Sequence, residues 1–216
     1  MTPSSPATPS RKVADQRVPP PSLKLVLATH NAHKAREFER LLPGFEVEAY
    51  PGRLPAETGE TFRDNATLKA DHVFAALGGG AWVLADDSGI EAAALGGRPG
   101  VRSARFAGEQ AGDAENLQAL LDALANETDR RVAYVAELVL IDPDGRRRYA
   151  RGELRGTLAA EPRGEGGFGY DPAFVPEGET RTVGEMSAAE KDAISHRARA
   201  AASLMAQLGA AHGAGL

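Results

Sequence analysis

Two adjacent carboxylates, Asp86 and Asp87, followed by Ser88 and Gly89, come straight after the apolar run 82–85. An aspartate at the carboxyl end of a strand is placed to hold a divalent metal or to take a proton from water. Neighbouring side chains on a pleated strand point to opposite faces, so only one of the two acids faces a given pocket. Gly89 would let the chain turn and bring Ser88 round to the same place. Ordinary capping of a loop by Asp and Ser is the alternative use of these residues.

Groups suited to anions lie elsewhere. The run Thr29-His30-Asn31-Ala32-His33-Lys34 puts hydroxyl and amide side chains, backbone N–H groups and a lysine at a helix start, which suits phosphate. It lacks the glycines of a P-loop, and a plain helix cap at Asn31 explains the same residues. Asn65 and Lys69 share a helical face with the apolar Phe62, Ala66, Ala70 and Val73. A lysine aimed into the interior calls for an anion opposite it, whereas one at the edge of the stripe reaches water. Glu57 is a hard oxygen ligand of the kind magnesium takes, or a charge favourably placed before a helix.

In the second half, Phe168, Gly169, Tyr170 and Asp171 combine close backbone approach, aromatic rings and an acceptor. Stacking of a base on such a ring contributes ~1–3 kcal/mol without choosing the base. A tight loop with core aromatics is the other reading. Lys191, His196 and Arg197 flank Ser195, where a solvated face and an N-cap account for them equally.

The elements that must position these residues alternate. Residues 23–28 read as a strand, followed by a helix carrying Ala35, Phe38, Leu41 and Leu42 and capped by Asn31. A second helix follows Thr58 or Thr61, and residues 82–85 form the next strand. Leu117, Leu120, Leu121 and Leu124 mark a further helix, and 132–141 is apolar on both faces, as a central strand is. Asp142-Pro143-Asp144-Gly145 predicts a type I turn into a hairpin partner through Tyr149. Residues 164–176 read as a glycine-rich loop, and an Ala-, Leu- and Met-containing helix follows Arg197. The pattern predicts an α/β fold.

Length permits one large domain or two small lobes, and 42% hydrophobic residues is ordinary for a globular core. A formal net charge of −5 argues against general nucleic-acid binding. The absence of cysteine excludes disulfides and thiolate metal sites, in keeping with a cytoplasmic location. No apolar run reaches the ~18–20 residues of a membrane helix, so no membrane association is expected. Residues 1–22, rich in Pro, Ser and Thr, lack the apolar core of a signal peptide and are expected to be a disordered extension. A single domain is expected over 23–208, with 209–216 as a flexible tail.

Taken in order, THNAHK, ETGETFRDNATLKA, ADDSGIEAAALGGRPGVRSARFAG, PRGEGGFGYDPAFVP and EMSAAEKDAISHRARA resemble the inosine triphosphate pyrophosphatase family. In bacteria these are Ham1-like or RdgB-like house-cleaning enzymes for deaminated purine nucleotides. The resemblance runs from about residue 23 to 208. It implies an elongated α/β fold whose central mixed sheet is flanked by helices, with two lobes around a nucleotide cleft, and a homodimer. It also implies magnesium-dependent hydrolysis of ITP, dITP or XTP to the monophosphate and pyrophosphate.

By motif position, Thr29, His30, Asn31, Ala32, His33 and Lys34 would bind the triphosphate, with Lys69 reaching the same anion. Glu57 and Asp87 would hold the metal, Asp87 also accepting the proton of the attacking water, and Ser88 would touch substrate. Asp86 would play a supporting part. Phe168, Gly169, Tyr170, Asp171, Lys191, His196 and Arg197 would surround base and sugar. The family commonly has Gly or Ser where His30 stands and Glu where Asp64 stands, and the N-terminal extension has no counterpart there.

Overall fold

The computed structural model describes residues 23–213; the expected disordered extension 1–22 and the end of the expected tail, 214–216, lie outside the described residues. Six strands form one open mixed sheet: β1 (Leu23–Leu27), β2 (Phe45–Ala49), β3 (Trp82–Ala92), β4 (Arg131–Ile141), β5 (Arg147–Leu158) and β6 (Phe174–Pro176), in the order β2-β1-β3-β4-β5-β6. The pairs β1/β2 and β1/β3 are parallel, and the remaining pairs are antiparallel. Helices α1 (Ala32–Leu41), α2 (Phe62–Ala76), α3 (Asp113–Ala123), α4 (Ala188–Ile194) and α5 (His196–Gly213) flank it.

Side-chain alternation along β3 and β4 sorts the core into layers. Val83, Ala85, Val139 and Ile141 meet Ala66, Ala70 and Val73 of α2. Leu84, Leu138 and Leu140 face the other way, onto Phe38 and Leu42 of the α1 region and Ala200, Ala201 and Leu204 of α5. Farther along that second face, Ile90, Ala92, Val132 and Tyr134 pack on Leu117, Leu120 and Leu121 of α3 and on Phe174. One sheet face thus carries two separate packed regions, and between them lie Asp86 and Ser88, which replace apolar residues in the alternation.

Topology explains why a site forms there. From β1 the chain passes through α1 to β2 on one side, then through α2 across to β3 on the other. The carboxyl end of β1 is therefore a point where the strand order reverses, the place where open α/β sheets bind ligands. β1 accompanies β3 only as far as the Leu27/Leu84 pair, and Ala28 N donates to Leu84 O at 2.8 Å. Beyond Leu84 the outer edge of β3 has no strand partner among the described residues, and its backbone groups are taken up by the side chains of Lys69 and Ser103 and, at Ala92 N, by the Arg98 carbonyl.

This corrects the sequence expectation that the strand ends at residue 85 with a turn at Gly89. Asp86, Asp87, Ser88 and Gly89 all lie inside β3, paired in register with Leu138, Glu137, Ala136 and Val135. Gly89 is small for a different reason. The 3-10 segment Gly100–Arg105 crosses the free edge, where Ser103 Oγ accepts from Ile90 N at 2.9 Å. A Cβ at Gly89 would collide with Ser103 Oγ and stand 2.7 Å from Gly100 O. Gly89→Ala is expected to cost about 1–3 kcal/mol, read as a lower midpoint in urea unfolding, because overpacking here must displace backbone.

Other boundaries also move. The hairpin partner extends to Leu158, because β5 pairs with β4 along its length and then receives β6 from the end of the glycine-rich segment. β2, whose FEVEA alternates apolar and acidic residues, and the seven-residue α4 add to the elements read from the sequence. α5 continues to Gly213, past the residue 208 expected to end the folded chain. Among the described residues no helix is long and apolar enough to cross a membrane.

Candidate active site

The turn after β1 builds the first wall. Asn31 caps α1 by accepting from the backbone N–H groups of His33 and Lys34 at 2.8 and 3.2 Å, and Thr29 Oγ1 accepts from Asn31 N at 3.1 Å. The cap takes up two of the N–H groups a phosphate would use, leaving the lysine as the cationic group of this turn. Lys34 Nζ lies 2.6 Å from Asp86 Oδ2. Burial pushes the Lys34 amine down, with Arg197 and Lys69 adding repulsion and Asp86 opposing them.

The helix α2 supplies the second wall. Thr61 caps it in a reciprocal box with Asp64, and its inward face carries buried Asn65 and Lys69, so the lysine does point to the interior. Lys69 Nζ donates to Glu57 Oε1 at 2.6 Å, to Asp86 O at 2.8 Å and to Asp87 Oδ1 at 3.3 Å. The Asp86 carbonyl is free to accept because β3 has no neighbour on that edge. Asn65 ties the acid to the preceding loop, donating to Asp87 Oδ2 at 3.1 Å and accepting from Gly59 N at 2.7 Å. Burial opposes the Lys69 charge, but Asp87 and Glu57 outweigh it and raise its pKa.

The two adjacent acids behave differently. At Asp86 burial is overcome by Lys34 and Arg197, which hold its carboxyl well below the usual range. At Asp87 burial dominates, Lys69 only partly offsets it, Glu57 adds repulsion, and the pKa is raised. Glu57 is held low despite burial, chiefly by Lys69. Asp86 is thus an ion-paired structural anion, whereas Asp87 faces the cleft, where burial disfavours its charge. Among the described residues no group of three or more His, Asp or Glu gathers to hold a metal with protein ligands alone.

The third wall comes from the second half of the chain. Asp171 is buried and accepts from Phe168 N at 2.9 Å, Lys191 Nζ at 2.7 Å and Tyr134 OH at 3.0 Å. Lys191 also meets Glu37 at 2.7 Å, and Glu37 accepts from Arg197 Nη1 at 2.9 Å. Arg197 Nη2 donates to Ser88 Oγ at 2.7 Å, and Ser88 donates to Asp86 Oδ2 at 3.0 Å. Lys191, Arg197 and Ser88 are therefore held in a lattice of carboxylates that floors the cleft. His196 stacks on Tyr134 at 4.7 Å, and its Nδ1, like Arg197 Nε, is buried without a hydrogen-bond partner among the described residues.

Burial, reinforced by Arg197 and Lys191, pushes the His196 imidazole well below its ordinary pKa. The unfolded chain takes up a proton near pH 6.5 that the folded chain refuses, so stability falls as pH drops below that value. Between pH 7 and 5 the contribution has a limiting slope of about 1.4 kcal/mol per pH unit. Urea titrations across this range are expected to show it, with a flatter profile in His196→Asn.

These walls enclose a cleft of about 290 Å³. It brings together Thr29, His30, Asn31, Lys34, Glu57, Lys69, Asp87, Ser88, Phe168, Gly169, Tyr170, Asp171, Lys191, His196 and Arg197. Ala32 and His33 do not line it. Sequence reasoning overlooked Glu37, Asp113, Asn116 and Tyr134; Asp113 Oδ2 accepts from Gly169 N at 2.9 Å. For Glu37 a signal existed, since it follows Lys34 by three residues and so shares its helix face.

The family model described as the Ham1 family matches residues 25–207. A curated protein of Deinococcus deserti named dITP/XTP pyrophosphatase is 50% identical over 186 residues, covering 85% of this chain and 88% of that protein. One of the same name from Deinococcus radiodurans is 49% identical, with 88% and 94% covered. The solved Ham1 protein of Staphylococcus aureus superposes with a TM-score of 0.78 at 38% identity, covering 87% of this chain and 98% of that one. That of Coxiella burnetii gives 0.77 at 39%, with the same coverage. A match over nearly all of the described residues, together with the shared fold, means that this chain belongs to the Ham1 family.

Proposed function

We propose that the protein is a nucleoside-triphosphate pyrophosphohydrolase that converts dITP, ITP and XTP to the monophosphate and pyrophosphate, removing deaminated purines from the nucleotide pool. The observation that carries this reading is a pair of lysines, the partly buried Lys34 and the buried Lys69, set beside the carboxylates Glu57 and Asp87 at the carboxyl end of β1. Phosphoryl transfer needs positioning and charge stabilisation more than covalent chemistry from the protein, and two fixed cations supply it. Asp87, whose raised pKa makes it a willing proton acceptor, takes the proton of the attacking water. Lys69 bridges Asp87 and Glu57 and fixes their separation.

Glu57 and Asp87 fit a small hard cation, which takes one or two carboxylates and fills its remaining positions with water and phosphate oxygens. Burial raises Asp87 and Glu57 adds repulsion, and a cation between the two carboxylates would relieve both. Magnesium in this place would neutralise charge on the phosphate oxygens. The homodimer and the cytoplasmic location implied by the resemblance belong to the same proposal, the latter supported by the lack of cysteine.

For the base, Phe168 offers a stacking surface and His196 a neutral imidazole with a partner still to find. Hypoxanthine and xanthine present O6 as an acceptor, which an N–H donor of His196, of Arg197 or of the Phe168 loop backbone would satisfy; the amino group of adenine leaves that donor unpaired. Sites built on such bonds discriminate by up to ~10⁴, far more than shape alone. In a comparison of kcat/KM with magnesium, dITP and XTP are expected to exceed ATP by roughly 10² or more. Equal values for ATP and dITP would overturn the assignment of substrate.

A further inference from the structure

We propose that His33 is a positioning residue for the aromatic wall of the cleft, its imidazole backing the Phe168 ring and so setting where a purine base stacks. The inference rests on the nucleotide reading above and moves His33 from the triphosphate to the base. The two rings stack with centroids 5.0 Å apart and planes at 28°. His33 lines a second cavity, of about 290 Å³, which it shares with Arg36, Gly167 and Met186. Only Phe168 and Lys191 belong to both that cavity and the main cleft, so Phe168 is a partition with His33 behind it.

The hydrogen bonding of His33 agrees with this placement. Arg36 Nη2 lies 3.1 Å from His33 Nδ1. The guanidinium donates and the ring nitrogen accepts, which fixes the orientation of the ring on α1. The loop backbone around Phe168 is already fixed, by Asp171 on Phe168 N and Asp113 on Gly169 N, with Gly167 and Gly169 at φ +73° and +63°. What remains to be set is the ring: Lys191 Nζ and Arg197 Cζ lie over it at 4.5 and 5.3 Å from its centroid, and His33 on the first turn of α1 is the ring that stacks on it. The contact couples the turn that holds the triphosphate to the loop that holds the base.

Three variants of the full chain separate stacking from phosphate contact: His33→Ala, His33→Phe, which keeps a ring, and His33→Gln, which keeps a polar side chain. With dITP as substrate, His33→Ala and His33→Gln are expected to raise KM roughly three- to tenfold with kcat within about twofold, while His33→Phe stays near the wild type. Rescue by Gln and not by Phe, or KM unmoved in all three, would overturn the proposal. The contact itself is read without turnover, from the proton NMR shifts of the His33 ring. Phe168→Leu is expected to abolish their ring-current displacement, and shifts indifferent to that substitution would sink the stack. Failure of the wild type to release pyrophosphate would instead count against the nucleotide reading, with the NMR result still deciding the contact.

Discussion

Asp87→Asn is expected to lower kcat by at least about 10²–10⁴, the usual contribution of a positioned general base, while nucleotide affinity changes little. The lysines that would hold the phosphates remain paired in this variant: Lys34 with Asp86, and Lys69 with Glu57 and the Asp86 carbonyl. Asp87 is buried, and its carboxyl is pushed up by that burial. A neutral amide of the same shape removes a disfavoured charge but turns its NH2 toward Lys69 or Asn65, which both donate to the carboxylate, so the two effects oppose and thermal stability should stay near that of the wild type. Loss of turnover without loss of stability is the signature of a residue held for chemistry. Turnover within tenfold of the wild type would remove Asp87 from the mechanism.

The neighbouring acid should respond in the opposite sense. Asp86→Ala leaves the partly buried Lys34 and the buried Arg197 without the carboxylate that faces both, at 2.6 and 3.5 Å. Breaking a buried ion pair from one side costs about 3–5 kcal/mol, and the melting temperature should fall by roughly 10 °C. The pH dependence has a definite sign. Lys34 and Arg197 hold the Asp86 pKa below its unfolded value, so its stabilisation is complete above about pH 4 and is lost as the pH falls below that. Acid unfolding of the wild type should therefore be steeper than that of Asp86→Asn. An unchanged melting temperature in Asp86→Ala would contradict the lattice of charges described for the cleft floor.

Much of this site is legible in the residues. The cap at Asn31 is announced by its own chemistry, while Lys69 inside an apolar stripe leaves two readings, a facing anion or an edge position reaching water, and its contacts with Glu57 and Asp87 decide for the anion. Pleat alternation correctly separates Asp86 from Asp87. Other features are hidden for a physical reason. An acid reads the same to composition and periodicity whether a strand stops there or runs on, and what decides it is the partner: β4 pairs with β3 through Ala92 while β1 stops at Leu84. Glu37 and Tyr134 enter the site through contacts between elements far apart in sequence. The role of Gly89 follows from a 3-10 segment crossing a free edge, a contact that no local pattern encodes.

The partition formed by Phe168 joins these halves. Asp171 fixes its backbone from one side while His33 stacks on its ring from α1, so the phosphate-facing turn and the base-facing loop meet at one aromatic ring. Glu37, on the same helix, ties Lys191 and Arg197 to that arrangement.

The central claim is that the cleft directs water to a nucleoside triphosphate so that pyrophosphate leaves. It is tested most directly by quantifying the products of dITP with the wild-type protein and magnesium. The account predicts deoxyinosine monophosphate and pyrophosphate in equal amounts and no orthophosphate. Release of orthophosphate with deoxyinosine diphosphate, or no product at all, would contradict it.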